Sequence, residues 1–375
     1  MKGTSPSQAS RFAATGNCVP RWGFKDLIKF TQEGKSMAIL TVGIDLAKNV
    51  FAVHGVNHNG LAELVRPAVK RADLAPLIAS LSPCTIGMEA CSGAHHWARL
   101  FSSYGHTVKL IAPKFVTPYR MTGKRSKNDA ADAAAICEAV QRPSMLFVEP
   151  KTIDQQQQLT LHRVRQGFVR SRTANMNRVR GLLAEFGIVM PLQANTVRRE
   201  TREHMEELPP LARAAIDDLL SEITRLDTRI DEYDKQLRRL ANIKESPAHR
   251  LTQLPGIGST TATAIVATVG NATEFKNGRQ FAAWLGLVPS QHSSGGKARL
   301  GRITKAGDAY LRTLLVLGAR STLAHANRRT DPISRWALQL EARSGYWKAV
   351  VAVAAKIARM AWAVLNRGDQ FKLPA

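Results

Sequence analysis

Four carboxylate side chains, Asp45, Glu89, Asp129 and Asp132, are spaced so that they could build a metal-dependent phosphoryl-transfer site. Asp45 and Glu89 each end an apolar stretch, and Asp129 and Asp132 are three residues apart, as on one helix face. Magnesium prefers oxygen ligands, and two such ions can activate a nucleophile and stabilise a leaving oxygen. The four acids therefore predict a Mg²⁺ site, provided that the fold gathers them.

Each acid also has an ordinary structural explanation. Asp45 could end a strand, and Glu89 could pair with a surface arginine. Asp129 and Asp132 could simply favour a helix N-terminus. By themselves the acids indicate a phosphoryl-transfer nuclease of the ribonuclease-H type.

A second candidate site is a glycine-flanked loop that contains Ser293 and Ser294 next to His292. A serine hydroxyl is a weak nucleophile unless its proton is removed and the phosphate charge is neutralised. The cations near enough in sequence to do this are Lys297, Arg299, Arg302, Lys305 and Arg312. The competing interpretation is a surface loop with no catalytic role.

The apolar pattern predicts the elements that must hold the first four acids. Three meandering strands (39–44, 50–56 and 61–65) are followed by alternating helices and strands (73–81, 85–89, 94–104 and 107–111). Asn128 is predicted to cap a helix that carries Asp129 and Asp132. This order predicts an α/β fold of the ribonuclease-H-like (RuvC-like) class.

The rest of the chain is predicted to be mainly α-helical. Residues 253–258 are typical of a helix-hairpin-helix turn, which could present backbone N–H groups to a phosphate. An ordinary interhelical turn is the alternative. A heptad seam predicts a coiled coil between protomers, or else a helix packed on its own domain; its members are Leu219, Ile223, Leu226, Ile230, Tyr233, Leu237 and Leu240.

The charge balance predicts a nucleic-acid partner. Lys and Arg number 53 against 29 acids, a formal net charge of +24, and the stretches 109–127 and 160–183 contain no acid. Within them the candidate nucleic-acid-binding residues are Lys124, Arg125, Lys127, Arg163, Arg165, Arg170, Arg172, Arg178 and Arg180.

Other features argue against a zinc, secreted or membrane protein. The four cysteines form no CxxC pair. The apolar stretch 346–365 is interrupted by Lys348, Lys356 and Arg359, which favours an amphipathic helix over a membrane span. We expect a cytoplasmic protein.

Several sequence motifs resemble those of one family. Residues 42–48 (VGIDLAK), 88–91 (MEAC) and 127–133 (KNDAADA) are similar to the DEDD motif of the insertion-sequence 110 (IS110) transposases, which are related to Piv-type DNA invertases. Residues 284–297 (WLGLVPSQHSSGGK) and 300–307 (LGRITKAG) resemble the C-terminal serine domain of the same family, in its IS1111 subgroup.

The resemblance implies a transposase that cuts and rejoins donor and target DNA. It implies Mg²⁺ at the four acids and Ser294, which precedes the glycine, as the nucleophile, with Ser293 in reserve. It also implies guidance by a non-coding bridge RNA and a homodimer or homotetramer with a composite site between subunits.

The expected domain organisation has four parts. Residues 1–36 form an N-terminal extension before a natural start at Met37, and 37–150 form the RuvC-like domain. Residues 151–248 form a basic helical and coiled-coil region, and 249–375 the serine transposase domain.

Three alternatives use fewer of these residues. A Holliday-junction resolvase needs only the four acids. An actin-like ATPase would need phosphate-binding glycine loops, which the sequence does not offer, and a non-catalytic binding protein would tolerate loss of any acid.

Overall fold

The structure, a computed structural model, describes residues 38–120, 128–293, 295–297, 299–368 and 371. The expected N-terminal extension 1–36 and the expected start at Met37 lie outside these residues.

The first unit is a mixed six-stranded sheet with the strand order β3-β2-β1-β4-β5-β6. β1, β4 and β5 are parallel, whereas β2, β3 and β6 run antiparallel to their neighbours. The strands are β1 (Thr41–Asp45), β2 (Val50–Val56), β3 (Ala62–Lys70), β4 (Thr85–Glu89), β5 (Thr107–Ile111) and β6 (Phe147–Val148). The predicted meander is thus confirmed, but the third strand runs to Lys70 rather than Val65, and the short β6 was not predicted.

Helices cover both faces of this sheet. Val42 and Ile44 of β1 face a core shared with Leu74, Trp97 and other apolar residues, whereas Gly43 faces the opposite side, since side chains alternate along a strand. The helices are α1 (Arg71–Ala79), α2 (Ala94–Ser103), α3 (Pro113–Val116) and α4 (Asp129–Val140).

Two glycines form a slot, which we call the glycine slot, that seats α4 against the sheet. Gly43 and Gly87 are register partners on the neighbouring strands β1 and β4. A Cβ atom at Gly43 would lie 2.2 Å from the Ala133 carbonyl oxygen, and one at Gly87 would lie 2.9 Å from Val140 Cβ. Because neither position carries a side chain, α4 lies close to the strands that end at Asp45 and Glu89.

The second unit is an antiparallel pair of long helices. They are α5 (Ile153–Ala184) and α7 (Pro210–Ala241), with the shorter α6 (Ala194–Glu203) between them in sequence. Thr152 caps α5 through a capping box with Gln155.

The heptad seam predicted to join protomers is buried or partly buried within this chain. Ile223 of the seam shares a core with Met176 and Val179 of α5, and Tyr233 stacks edge-on against Phe168, with ring centroids 5.7 Å apart. The seam therefore follows the alternative interpretation, a helix packed on its own chain.

The third unit is mainly helical, as predicted, and has one small hairpin. Its elements are α8 (Pro247–Thr252), α9 (Ser259–Val269), α10 (Gly278–Trp284), β7 (Pro289–Gln291), β8 (Leu300–Ile303), α11 (Ala309–Ala324), α12 (Pro332–Ser344) and α13 (Tyr346–Arg367). The predicted helix-hairpin-helix turn joins α8 to α9. Gly256 in this turn has φ +78°, and its added Cβ would lie 2.7 Å from the Gly318 carbonyl oxygen. Close packing on α11 therefore accounts for this glycine; phosphate binding there stays a prediction.

The apolar helix α13 lies in the core of the third unit. Its residues Val350, Val353 and Ile357 are fully buried among side chains of the neighbouring helices. In the described part of the chain it alone is long and apolar enough to cross a membrane, and half of its most apolar window is buried within the protein.

Candidate catalytic site and nucleic-acid surfaces

The sheet places Asp45 and Glu89 at one edge. Asp45 is the last residue of β1, and Glu89 is the last residue of β4. The two strands are parallel neighbours, and Ile44 lies opposite Met88. Asp45 and Glu89 are the next residues of these strands, so both acids are at the same end of the strand pair. Both residues are partly buried.

The other two acids lie in the first turn of α4. Asn128 caps this helix, as predicted, because its side chain accepts a hydrogen bond from the Ala131 N–H at 2.8 Å. The Asp132 side chain is only 3% exposed, whereas Asp129, nearly one turn earlier, is exposed. The glycine slot brings this end of α4 to the β1–β4 edge.

Arg120 joins two of the acids that come from different elements. Its Nε lies 2.8 Å from Asp132 Oδ1, and its Nη2 lies 3.4 Å from Glu89 Oε1. Glu89 and Asp132 are therefore within reach of a single cation. Arg120 lies in the basic stretch 109–127, but nothing in the sequence distinguishes it from the other cations there.

The thiol of Cys91, two residues after Glu89, is influenced by the charges of both Asp45 and Glu89. Burial raises the pKa of its thiol, and the charges of Glu89 and Asp45 raise that pKa further. Both carboxylates thus act electrostatically on one sulfur atom. Arg120 thus joins Glu89 and Asp132, Asp45 ends the strand beside Glu89, and Asp129 lies in the same first turn of α4 as Asp132.

The four residues have the chemistry that a divalent cation prefers, because their donors are carboxylate oxygens, and the Asp132 side chain is nearly buried. The side chains do not form a ligand shell, since among the described residues no three His, Cys, Asp or Glu groups converge as metal ligands. The positive charge between Glu89 and Asp132 is instead the guanidinium of Arg120.

The strands that flank the predicted serine site in sequence, β7 and β8, form a hairpin. Ser294 lies outside the described residues. Its neighbour Ser293 is exposed and accepts a hydrogen bond from Gln291 Nε2 at 2.8 Å. The His292 N–H donates to the Arg299 carbonyl oxygen at 2.9 Å, which continues the hairpin toward its tip.

The cations assigned to the scissile phosphate fall into two groups. Lys297, Arg299, Arg302 and Lys305 are exposed on the hairpin or just after it. Arg312 is committed to the fold, because its Nη1 donates to the carbonyl oxygens of Leu285 (3.0 Å) and Ala306 (2.8 Å).

The cations of the basic helix α5 also fall into two groups, those bound within the fold and those left exposed. Arg165 pairs with Asp234 at 2.6 Å, and Arg172 pairs with Asp227 at 2.9 Å, so these two hold α5 to α7. Arg180 donates to the Leu192 carbonyl oxygen and to Asn177. The side chains left exposed are those of Arg163, Arg170 and Arg178, and Lys124, Arg125 and Lys127 lie outside the described residues.

Two family models match the sequence. Residues 42–188 match a DEDD transposase model of the IS110 type, and residues 248–333 match the model described as the Transposase IS116/IS110/IS902 family. The acid motifs lie in the first region and the serine motif lies in the second.

Full-length relatives share both regions. A Pseudomonas aeruginosa protein described as "Probable family 20 transposase" is 44% identical over 337 residues, covering 88% of this chain and 98% of that protein. The transposase for insertion sequence element IS1111A of Coxiella burnetii is 39% identical over 358 residues, covering 92% and 95%. The pilin gene-inverting protein of Moraxella bovis is more distant, 21% identical over 343 residues, covering 88% and 97%.

Proposed function

Since this chain belongs to the IS110 family of insertion-sequence transposases, we propose that it recombines DNA through an acid site and a serine nucleophile. The observation that carries the proposal is the meeting of Glu89 and Asp132 on Arg120. A strand end and a helix N-terminus supply these two acids, and Asp45 ends the adjoining parallel strand.

The N-terminal unit is proposed to be ribonuclease-H-like. The strand order β3-β2-β1-β4-β5, with a meander followed by two parallel strands, supports this assignment. The seating of α4 on β1 and β4 through the glycine slot supports it further.

Asp45, Glu89, Asp129 and Asp132 are the residues proposed to hold Mg²⁺. When bound, the ion would neutralise charge on the reacting phosphate and orient it. Within the chain, Asp132 supplies a carboxylate shielded from water, and Arg120 holds it together with Glu89.

Ser294 is the proposed nucleophile. Its Oγ forms a bond to a DNA phosphorus while one P–O bond of the strand breaks, and the released DNA hydroxyl takes up a proton. Lys297, Arg299 and Arg302 are exposed on the same hairpin and are proposed to neutralise the phosphate charge. A second strand's hydroxyl would reverse the step and rejoin the DNA.

The proposed partners are donor DNA, target DNA and a non-coding bridge RNA. The net charge of +24 and the exposed cations Arg163, Arg170 and Arg178 on α5 support a polyanion on this face. The acid and serine motifs lie on separate units, which is compatible with a site shared between the subunits of a dimer or tetramer. Such a protein would act in the cytoplasm, at the nucleoid.

The test is recombination between donor and target plasmids in the presence of the flanking non-coding RNA. We expect Ser294→Ala and Asp129→Asn to abolish the product. Glu138→Gln is the matched control, because Glu138 is an exposed acid on the same helix as Asp129. Wild-type rates from either variant would refute the role of that residue.

Trapping covalent protein–DNA complexes decides between the serines. We expect a complex with Ser293→Ala and none with Ser294→Ala. A Holliday-junction-resolvase-like nuclease, the second candidate, needs only the acids, and would still cleave branched DNA with Ser294→Ala.

A further inference from the structure

An open groove of about 810 Å³ runs between the β7–β8 hairpin and the helices α10, α12 and α13. Its wall toward the hairpin contains Pro289 and Ile303, and its helical wall contains Trp336 and Trp347. This volume is within the range of about 300–1,000 Å³ that is usual for ligand pockets. The hairpin that carries the proposed nucleophile therefore also forms one side of a cavity.

The groove combines an apolar floor with a basic rim. Its floor includes Val351 and Ala355 of α13, and no Asp or Glu lines it in the described chain. The cations on its rim are all exposed; they are Arg279, Arg302, Lys348 and Arg359. The ligand should thus have flat apolar groups and several negative charges.

The two tryptophans suit stacked bases. Trp347 is 65% exposed, and the Arg320 guanidinium lies 5.8 Å from its ring centroid. Lys356 Nζ lies 4.7 Å from the ring centroid of Trp336, and the same ring lines the groove. Aromatic rings beside a positive groove are the common means of holding single-stranded nucleic acid.

A second copy of this chain fits the rim less well. Each copy has a net charge of +24, so it would bring further positive charge toward the four rim cations. Paired DNA satisfies the rim but not the floor, because bases within a duplex are stacked on one another and hide their faces.

We propose that this groove binds unpaired nucleotides of the DNA strand that the hairpin engages, with bases on Trp336 and Trp347 and phosphates on the rim cations. The inference rests on the proposed function for its DNA substrate. It adds a site for the bases that must leave the duplex when strands are exchanged.

The test measures binding without catalysis, using the full chain in EDTA and fluorescein-labelled duplexes. One duplex is fully paired, and the other, called the gapped duplex, has a short run of unpaired thymines. We expect the wild type to bind the gapped duplex at least about fivefold more tightly, the minimum effect of stacking one base. Trp347→Leu, which keeps an apolar surface but removes the ring, should abolish that preference.

Matched variants separate stacking from charge. Tyr104→Leu removes an exposed aromatic ring of the N-terminal unit and should leave the preference intact. Arg302→Gln should weaken the binding of both duplexes and reduce the salt dependence of binding. Arg335 is an exposed arginine beside Trp336 that does not line the groove, so Arg335→Gln should change neither the affinity nor its salt dependence.

Three results would overturn the proposal: equal binding of the two duplexes, a preference retained by Trp347→Leu, or equal binding of RNA with the same unpaired run. A change in the mass of the oligomer in solution caused by Trp347→Leu, without a change in the preference for the gapped duplex, would assign the groove to self-association instead. Recombination by Ser294→Ala tests the proposed function separately, because gap preference does not require cleavage.

Discussion

At the scale of single residues, Arg120 explains how an acid cluster is tolerated in the chain. Asp132 is nearly buried, and burying a carboxylate without a counter-charge is costly. The acids could be predicted from the sequence, because they end apolar strands or follow a capping Asn128. Arg120 could not be predicted, because its contact with Asp132 depends on the path of the chain after β5.

We predict that Arg120 competes with a metal ion for Glu89 and Asp132, and that removing Arg120 will reveal this competition. We expect Arg120→Gln to lower the free energy of unfolding by about 1–3 kcal/mol in EDTA, since the nearly buried Asp132 loses its partner. Mg²⁺ should then raise the Tm of this variant more than that of the wild type. Arg142→Gln removes a half-exposed pair with Glu138 on the same helix and is the control. Equal stabilisation of wild type and Arg120→Gln by Mg²⁺ would contradict this competition.

At the scale of elements, packing distances determine the site as much as the acids do. The sequence predicted β1, β4 and α4 correctly, but not that Gly43 and Gly87 are register partners under α4. The same limit applies to α7, whose heptad pattern was evident while its partner α5 was not. Periodicity identifies an apolar face, but the surface that covers this face depends on the rest of the fold.

The glycine slot predicts a substitution that disturbs the site from a distance. Gly43→Ala should cost about 1–3 kcal/mol, because its methyl group would overlap the α4 backbone at Ala133. It should also weaken Mg²⁺ binding measured by calorimetry, since α4 must move away from β1. Gly167→Ala, in the open middle of α5, meets no atom within 4 Å and should be neutral or stabilising. Unchanged Mg²⁺ affinity in Gly43→Ala would show that the slot does not position the acids.

At the scale of the whole molecule, α5 connects the other helices through a buried polar junction. His162 is 1% exposed. Thr263 gives its hydroxyl proton to the Ser259 carbonyl, so its oxygen accepts from His162 Nε2, and Tyr310 then donates to Nδ1. This junction could not be predicted from the sequence, because its members are far apart along the chain.

This junction should make stability depend on pH. Burial and then the charge of Arg165 lower the pKa of His162 to about 4, with Asp234 opposing. His162 therefore binds a proton near pH 6.5 in the unfolded chain, but only near pH 4 in the folded chain. Stability is full above pH 6.5 and falls by up to about 3 kcal/mol as the pH drops toward 4.

The measurement is Tm against pH for wild type and His162→Gln, whose amide can keep both hydrogen bonds. We expect a flatter profile for the variant, with the remaining slope contributed partly by His95, whose pKa is also lowered to about 4. His325→Gln, at an exposed histidine, should leave the wild-type slope. A variant as steep as the wild type would exclude His162 as the cause.

The glycine slot also has a thermodynamic consequence for ligand binding. A helix held against two strands through backbone contact has already lost most of its conformational freedom. When a cation or a phosphate reaches the first turn of α4, little further entropy is lost there, and more of the interaction free energy remains as affinity. Two missing methyl groups beneath the sheet surface can thus set how tightly the acids above its edge bind.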